Sequence, residues 1–290
     1  MKLLLKQLTL FAFIAACVTN TSLVYAATEL TIIGSGACLP MPHRRHPGNL
    51  LRVNDQRFLV DSGPGTIHSL AMLGVQPDQI SGAFYTHFHH DHVGDLANII
   101  GWFQVVIWTA ERIGILYKAP AFTIYGPVGI NQYIQSILPQ TPEKTLPSNV
   151  FVVEVKPDDR LNVATFTVQA GKVPHTPESV GYRFTFANGK VLAITGDTAF
   201  GPQVTNLIKN ADIAVLECSY DDAVYEATKP FVNHLGPTSA AQLATAAKIK
   251  TLVLTHLYPS ADAVDTAAIA SKSFAGMVLT AQDGMTISLD

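Results

Sequence analysis

Four of the chain's ten histidines lie within six residues, His87-Phe88-His89-His90-Asp91-His92. In an extended segment, residues two apart point the same way, so His87 and His89 can grip one ion together. Asp91 and His92 fall where the loop turns into a helix at Val93, and that change of direction aims them at a second point close by. Imidazole and carboxylate are the ligands that hold catalytic zinc while leaving a position open. A solvated His-rich loop would show the same residue types. Directly after an apolar strand and before a helix, however, the spacing points to metal.

The surrounding pattern alternates short strands with helices. Leu30 to Ile33 reads as a strand stopped by Gly34-Ser35-Gly36, and residues 37 to 48 as a loop. Leu50 to Val53 and Arg57 to Val60 read as a hairpin around Asn54-Asp55-Gln56. Thr66 to Leu73 is helical, and Ala83 to Thr86 is the strand that feeds the His-rich loop. Val93 to Ile107 carries Leu96, Ile99, Ile100 and Phe103 at helical spacing. Phe122 to Tyr125 is a strand and Val128 to Leu138 a helix. Later strands are Val150 to Val155, Ala164 to Gln169, Gly181 to Phe186, Val191 to Thr195, Ile213 to Glu217 and Thr251 to Thr255. Asn188-Gly189 makes a tight hairpin turn, and Ser239 to Ala247 is a helix. Hairpins in both halves, with helices between strands, predict mixed sheets covered by helices, an α/β fold.

Composition bounds the partners. Lys plus Arg is 19 and Asp plus Glu is 22 in 290 residues, a net charge of -3. That balance argues against a nucleic-acid protein relying on a broad basic face. Hydrophobic residues make up 48% and charged residues 14%, the latter well under the roughly 25% of an average domain. Lys2 and Lys6 precede an 11-residue apolar run, Leu8 to Val18, too short for a span of about 20 residues. Val24-Tyr25-Ala26 then offers a cleavage site, so residues 1–26 read as a secretory signal and 27–290 as one domain. The rival reading makes Cys17, in Ile14-Ala15-Ala16-Cys17, a lipidated residue. Either way the protein is expected outside the cytoplasm, periplasmic or secreted, without a transmembrane helix. Cys38 and Cys218 are expected to stay unpaired.

Strand, HxHxDH and helix resemble the metallo-β-lactamase superfamily, which implies an αββα sandwich of two mixed sheets flanked by helices. Asp61-Ser62-Gly63-Pro64-Gly65, Gly126-Pro127-Val128-Gly129 and Val173-Pro174-His175 with Gly181-Tyr182-Arg183-Phe184 resemble its ribonuclease Z and arylsulfatase-like branch. The resemblance implies that His175 joins His87 and His89 at a first ion. It places Asp91, His92 and His256 at a second, with Asp197 of Gly196-Asp197-Thr198 bridging. It also matches His234 to a histidine that assists at the scissile group, and gives Asp91 and His234 the catalytic roles. Each candidate ligand sits at a strand end or just past it, where open α/β sheets collect ligands. Two zinc ions are implied, with manganese or iron as alternatives, and a bridging hydroxide formed from water whose pKa the metal lowers from 15.7 to about 7. With two aspartates that centre carries roughly +1 and should attract an anionic ester.

The expected activity is therefore hydrolysis of small anionic esters, phosphodiester or aryl sulfate. Between Phe184 and Val191 there is only a tight turn, where ribonuclease Z has a long arm for tRNA. With the net charge and the export signal, this leads to the expectation of no nucleic-acid partner. A lactone or β-lactam hydrolase, and a non-hydrolytic metal-binding protein or iron oxygenase on the same fold, are the alternatives. The basic cluster His43-Arg44-Arg45-His46 is expected to be a solvated loop rather than an anion clamp. His90 should face solvent and His68 should be structural. The apolar stretch Trp102 to Trp108 should pack in the core, with a pocket wall or a homodimer interface as the alternatives.

Overall fold

The structure, a computed structural model, describes residues 28–229 and 233–290. The expected signal segment, with Cys17 and Ala26, lies outside them. Two seven-stranded sheets face each other. The first runs β14 (Thr286–Ser288), β1 (Thr28–Gly34), β2 (Gly48–Val53), β3 (Gln56–Ser62), β4 (Gly82–Phe84), β5 (Phe122–Pro127), β6 (Val150–Val155). The second runs β13 (Met277–Thr280), β12 (Thr251–Thr255), β11 (Ile213–Glu217), β10 (Val191–Ile194), β9 (Val180–Thr185), β8 (Phe166–Lys172), β7 (Arg160–Val163). Each sheet is antiparallel along its hairpins and parallel thereafter, from β3 to β6 and from β10 to β13.

The alternation of side chains fixes which face meets which layer. Leu30, Ile32, Leu51, Val53, Phe58, Val60 and Phe84 point between the sheets, against Phe166, Val168, Tyr182 and Phe184. Their neighbours Ile33, Leu50, Leu59, Ala83 and Tyr85 point the other way. There they meet the helices α1 (Thr66–Met72), α3 (Leu96–Arg112) and α4 (Ile130–Ile137). Between α1 and α3 lies the single turn α2 (His90–Val93). The second sheet is covered by α5 (Pro202–Ile208) and α7 (Pro237–Ala247), with α6 (Asp222–Thr228) between them in sequence. The helices α8 (Pro259–Asp262) and α9 (Thr266–Ala270) complete the α-helices among the described residues, beside the 3-10 turns Pro77–Gln79 and Leu138–Gln140. The result is the expected sandwich of two mixed sheets between helical layers.

Several details depart from the expectations. β7, β13, β14, α5 and α6 had no predicted counterpart; all are short, and β7, β14 and α6 lie largely at the surface. The basic cluster is not a solvated loop. Arg44, with its side chain 7% exposed, pairs with Asp262 and donates to Ser35 Oγ and the Ala281 carbonyl. Arg45 faces Asp283. The planar guanidinium fork suits such multiple acceptors, so the two arginines staple the β1–β2 loop to the C-terminal elements. His68 is exposed, and so is His90. Of the apolar stretch, Phe103 is buried while Val105 and Trp108 are 47% and 45% exposed. His90–Arg112 is long and apolar enough to cross a membrane, but half of its most apolar 18-residue stretch is buried in the protein, as in a core helix.

Phe84 ends β4 immediately before the His-rich loop and sits under an aromatic cluster. Its ring stacks on Tyr125 at 4.6 Å and meets Tyr182 and Phe184 edge-on at 5.3 Å each. Truncating a fully buried phenylalanine removes its burial and leaves a cavity. Phe84→Ala should therefore lower unfolding stability by about 3–5 kcal/mol, measured by urea denaturation; a loss under about 1 kcal/mol would show that this junction is not a packing anchor.

Candidate metal centre

All the candidate site residues meet at one end of the sandwich, where the parallel strands of both sheets finish. His87 and His89 follow β4, and Asp91 and His92 lie in α2. His175 follows β8, Asp197 follows β10 and His256 follows β12. His234 precedes α7. Two glycines permit the approach. Gly196, with φ +61, would bring a Cβ within 2.5 Å of Thr86 Oγ1. A Cβ on Gly63 would lie 1.9 Å from the Asp91 carbonyl.

Potential ligand atoms fall into the clusters His87, His89, His175, Asp197 and Asp91, His92, His256, with Asp197, His234 and His256 as a third overlapping group. In the first cluster, Nε2 of His87 and Nε2 of His175 lie 3.0 and 3.1 Å from Nδ1 of His89. In the second, His256 Nε2 and His92 Nε2 lie 3.4 and 3.8 Å from Asp91 Oδ2. Asp197 divides its carboxylate between them. Its Oδ1 is 3.1 Å from His92 Nε2 and 3.2 Å from His256 Nε2. Its Oδ2 is 3.7 Å from His175 Nε2 and 3.9 Å from His87 Nε2. Two ligands about 2.1 Å from a common tetrahedral zinc are about 3.4 Å apart, so these spacings fit a shared cation in each cluster.

The hydrogen bonds behind the ligands select tautomers. His92 Nδ1–H donates to Asp61 Oδ2 at 2.8 Å. His87 Nδ1–H donates at 3.0 Å to Thr86 Oγ1, whose own proton goes to Asp61. His175 Nδ1–H donates to the Asn233 carbonyl at 3.0 Å, and the Asn233 amide returns a bond to the His175 carbonyl at 2.9 Å. His256 Nδ1–H donates to Ser219 Oγ at 2.9 Å. Each bond leaves Nε2 as a lone pair aimed inward, the arrangement by which outer-shell partners orient metal-ligating histidines. His256 (φ +58) and Asp61 (φ +60) hold left-handed backbone, a conformation rare for such residues and concentrated at functional sites.

Two atoms test whether this donor set suits a cation. His92 Nε2 and Asp197 Oδ1 are buried and have no hydrogen-bond partner. Buried polar atoms are nearly always satisfied, so an orphaned lone pair beside an orphaned carboxylate oxygen is what a metal would complete. Burial works to raise the Asp197 carboxyl, but His256, His92 and His87 outweigh it and hold the group well below the usual carboxylate range. Asp91 is likewise lowered, against its burial, by His256 and His92.

His234 stands apart in its bonding. Its Nδ1–H points at Glu217, 3.1 and 3.0 Å from the two carboxylate oxygens. Burial lowers its basicity, yet Glu217 and then Asp197 override this and push its pKa up to about 9. Its ring lies 5.1 Å from that of His175 and 5.8 Å from that of His256, so it faces both clusters while its Nδ1 is committed elsewhere. Glu217, Asp61, Ser219 and Asn233 were not predicted as site residues. Asp61 and Glu217 do stand at strand ends like the candidate ligands, and Asp61 also opens the run that carries the family resemblance. Cys38 and Cys218 are unpaired, as expected. Cys38 is bonded to Tyr258.

A sandwich with this donor set defines a metal-dependent hydrolase, and sequence comparison agrees. The family model "Metallo-beta-lactamase superfamily" matches residues 48–256, and the chain belongs to that superfamily. Among similar proteins is a Ribonuclease Z of Mycolicibacterium gilvum, 27% identical over 250 residues, covering 80% of this chain and 85% of that protein. A Ribonuclease Z of Limosilactobacillus reuteri is 27% identical over 284 residues, covering 79% and 87%. By structure, the metallo-beta-lactamase fold protein YhfI of Bacillus subtilis superimposes with TM-score 0.78 at 22% identity, over 90% of this chain and 99% of that one. The human short-form tRNase Z gives TM-score 0.70 at 24% identity, over 90% and 99%. These relatives correct one expectation. Net charge, the export signal and the missing arm lead to the expectation of no nucleic-acid partner, and the ribonuclease Z relatives overturn it. Net charge describes the whole surface, whereas a phosphodiester is met first by a local field.

Asp197→Ala removes the one carboxylate that both clusters share. The variant should lose one or both ions, read as metal per chain after equilibration with zinc; two retained ions would remove Asp197 from its bridging place.

Proposed function

We propose that the protein is an exported binuclear phosphodiesterase that works with two zinc ions and takes RNA, or phosphodiester fragments of it, as substrate. The observation that carries this reading is the divided carboxylate of Asp197, with one oxygen turned to each cluster of imidazoles. His87, His89 and His175 would hold one ion, Asp91, His92 and His256 the other, and Asp197 both. Imidazole with carboxylate is a donor set that suits zinc. Bound there, divalent ions supply Lewis acidity and lower the pKa of water. The ribonuclease Z relatives support the phosphodiester as the bond attacked.

The chain's own groups would do the rest. Asp91, buried and ionised, would accept beside the second cluster the proton that the attacking water gives up. His234, kept protonated by Glu217, presents Nε2–H to the charge that develops on the departing oxygen. Such a donor acts mainly in the transition state. β9 and β10 are joined by the tight turn at Asn188-Gly189, so RNA would be held without a long insertion at that point.

Zinc-loaded protein is expected to hydrolyse bis(p-nitrophenyl) phosphate and a short single-stranded RNA faster than an aryl sulfate, a lactone or a β-lactam. A lactone or β-lactam as the best substrate would overturn the reading. His234→Ala should keep both ions and a near-normal KM while kcat falls about 10²–10³-fold. Loss of an ion from that variant would make His234 a ligand instead. Export is tested by mass spectrometry of the chain expressed in a bacterium with its leader. The N-terminus should be Ala27; an intact Met1 in the cytoplasm would refute export, and a lipidated Cys17 would replace cleavage after Ala26.

A further inference from the structure

Two tyrosines flank the His234 and His256 side of the centre and have no part in the chemistry above. Tyr220 lies just past β11, next to Ser219, and Tyr258 just past β12, two residues after His256. Their rings stack, with centroids 5.2 Å apart and 29° between planes. Tyr220 meets the His234 ring edge-on at 5.8 Å and 88°. Tyr258 meets the His256 ring at 5.9 Å and 66°, and that of His234 at 6.4 Å. Both tyrosines remain partly exposed although they adjoin a buried cluster of ligands.

The pair is held rigidly. The Tyr220 N–H donates to the Leu235 carbonyl at 3.3 Å, and the Tyr258 N–H donates to the Ser219 carbonyl at 3.1 Å. The Tyr258 hydroxyl is fixed by Cys38 Sγ, 2.8 Å away on the β1–β2 loop. That loop is itself stapled down by Arg44 and Arg45. A rigid, partly open aromatic surface next to charged groups offers a face to a flat ring whose phosphate lies at the ions. Every nucleobase has such a face, and stacking of this kind tolerates any base.

We infer that Tyr220 and Tyr258 form a stacking platform for a planar ring of the substrate, a nucleobase or an aryl group, and thereby set specificity at the site. The inference deepens the phosphodiesterase reading and rests on it. Isothermal titration of the zinc-loaded protein with uridine 5′-monophosphate, phenyl phosphate and ribose 5-phosphate separates the ring from the anion. Both ring-bearing ligands should bind more tightly than ribose 5-phosphate, which carries the same anion on a sugar alone. Tighter binding of the uridine ligand than of phenyl phosphate assigns the platform to a base; the reverse assigns it to an aryl ester. Tyr220→Leu and Tyr258→Leu should each weaken the ring-bearing ligands about 5- to 100-fold and leave ribose 5-phosphate and zinc content unchanged. Tyr220→Phe, which keeps the ring, should retain the preference. Wild-type protein that binds ribose 5-phosphate as tightly as the uridine ligand would overturn the platform, and this comparison needs no variant to fold. The same wild-type protein failing to cleave bis(p-nitrophenyl) phosphate would instead overturn the phosphodiesterase reading.

Discussion

A buried carboxylate with an unsatisfied oxygen organises this end of the molecule. Asp197 is 3% exposed, and an ionised carboxylate out of water costs several kcal/mol unless something compensates it. The compensation cannot come from ordinary hydrogen bonds, because Oδ1 has no donor. The imidazole Nε2 atoms around it are lone pairs rather than donors and offer none either, so this donor set is one that a cation would complete. The fold supplies this by ending four strands at one level. The absence of a side chain at Gly196 lets the Asp197 turn close onto Thr86.

The sheets are tied together at the same level. The Val180 N–H donates to the Thr86 carbonyl at 3.0 Å, and the Tyr182 hydroxyl donates to the Tyr85 carbonyl at 2.7 Å. These bonds join β9 of one sheet to the segment after β4 of the other, across the aromatic cluster around Phe84. The distance between the candidate ligands His87 and His175 is therefore set by packed elements rather than by the loops that carry them. Sites supported in this way are more precise than sites left to loops alone.

How much of this was legible in the sequence follows the range of each interaction. His87, His89, Asp91 and His92 are neighbours in the chain, so a local rule about extended segments and a helix start was enough to pair them. His175, Asp197 and His256 stand alone in sequence, and only resemblance brought them to the same centre. Strands bounded by turn residues, such as Ile213–Glu217 and Thr251–Thr255, were read with their observed limits. Short surface elements such as β7 and α6 were not, because they carry too few apolar positions to show a period. Asp61 was visible as the first residue of Asp61-Ser62-Gly63-Pro64-Gly65, a run that carries the family resemblance, but not as a site residue. Its service to His92 and Thr86 depends on contacts 25 and 31 residues away, which no local pattern records. Arg44 was misjudged for the same reason, since its acceptors lie more than two hundred residues on.

Glu217 shows what the outer residues add beyond holding ligands in place. Its carboxylate accepts the Thr198 N–H at 2.5 Å, next to Asp197, and the Leu235 N–H at 3.2 Å, next to His234. It also accepts the His234 Nδ1–H and the Ser219 hydroxyl, and Ser219 in turn receives His256. One carboxylate thus fixes the Asp197 loop, the His234 ring and, through one serine, the tautomer of His256. The geometry of the candidate ligand clusters and that of the His234 ring are then not independent. A shift in the Asp197 loop moves Glu217, and a shift in Glu217 moves the proton of His234. In the reaction proposed above that coupling would be a gain, because the departing oxygen would meet the His234 proton at a position fixed relative to both clusters. Preorganised donors of this sort need no rearrangement when charge develops, and burial keeps water from competing for them.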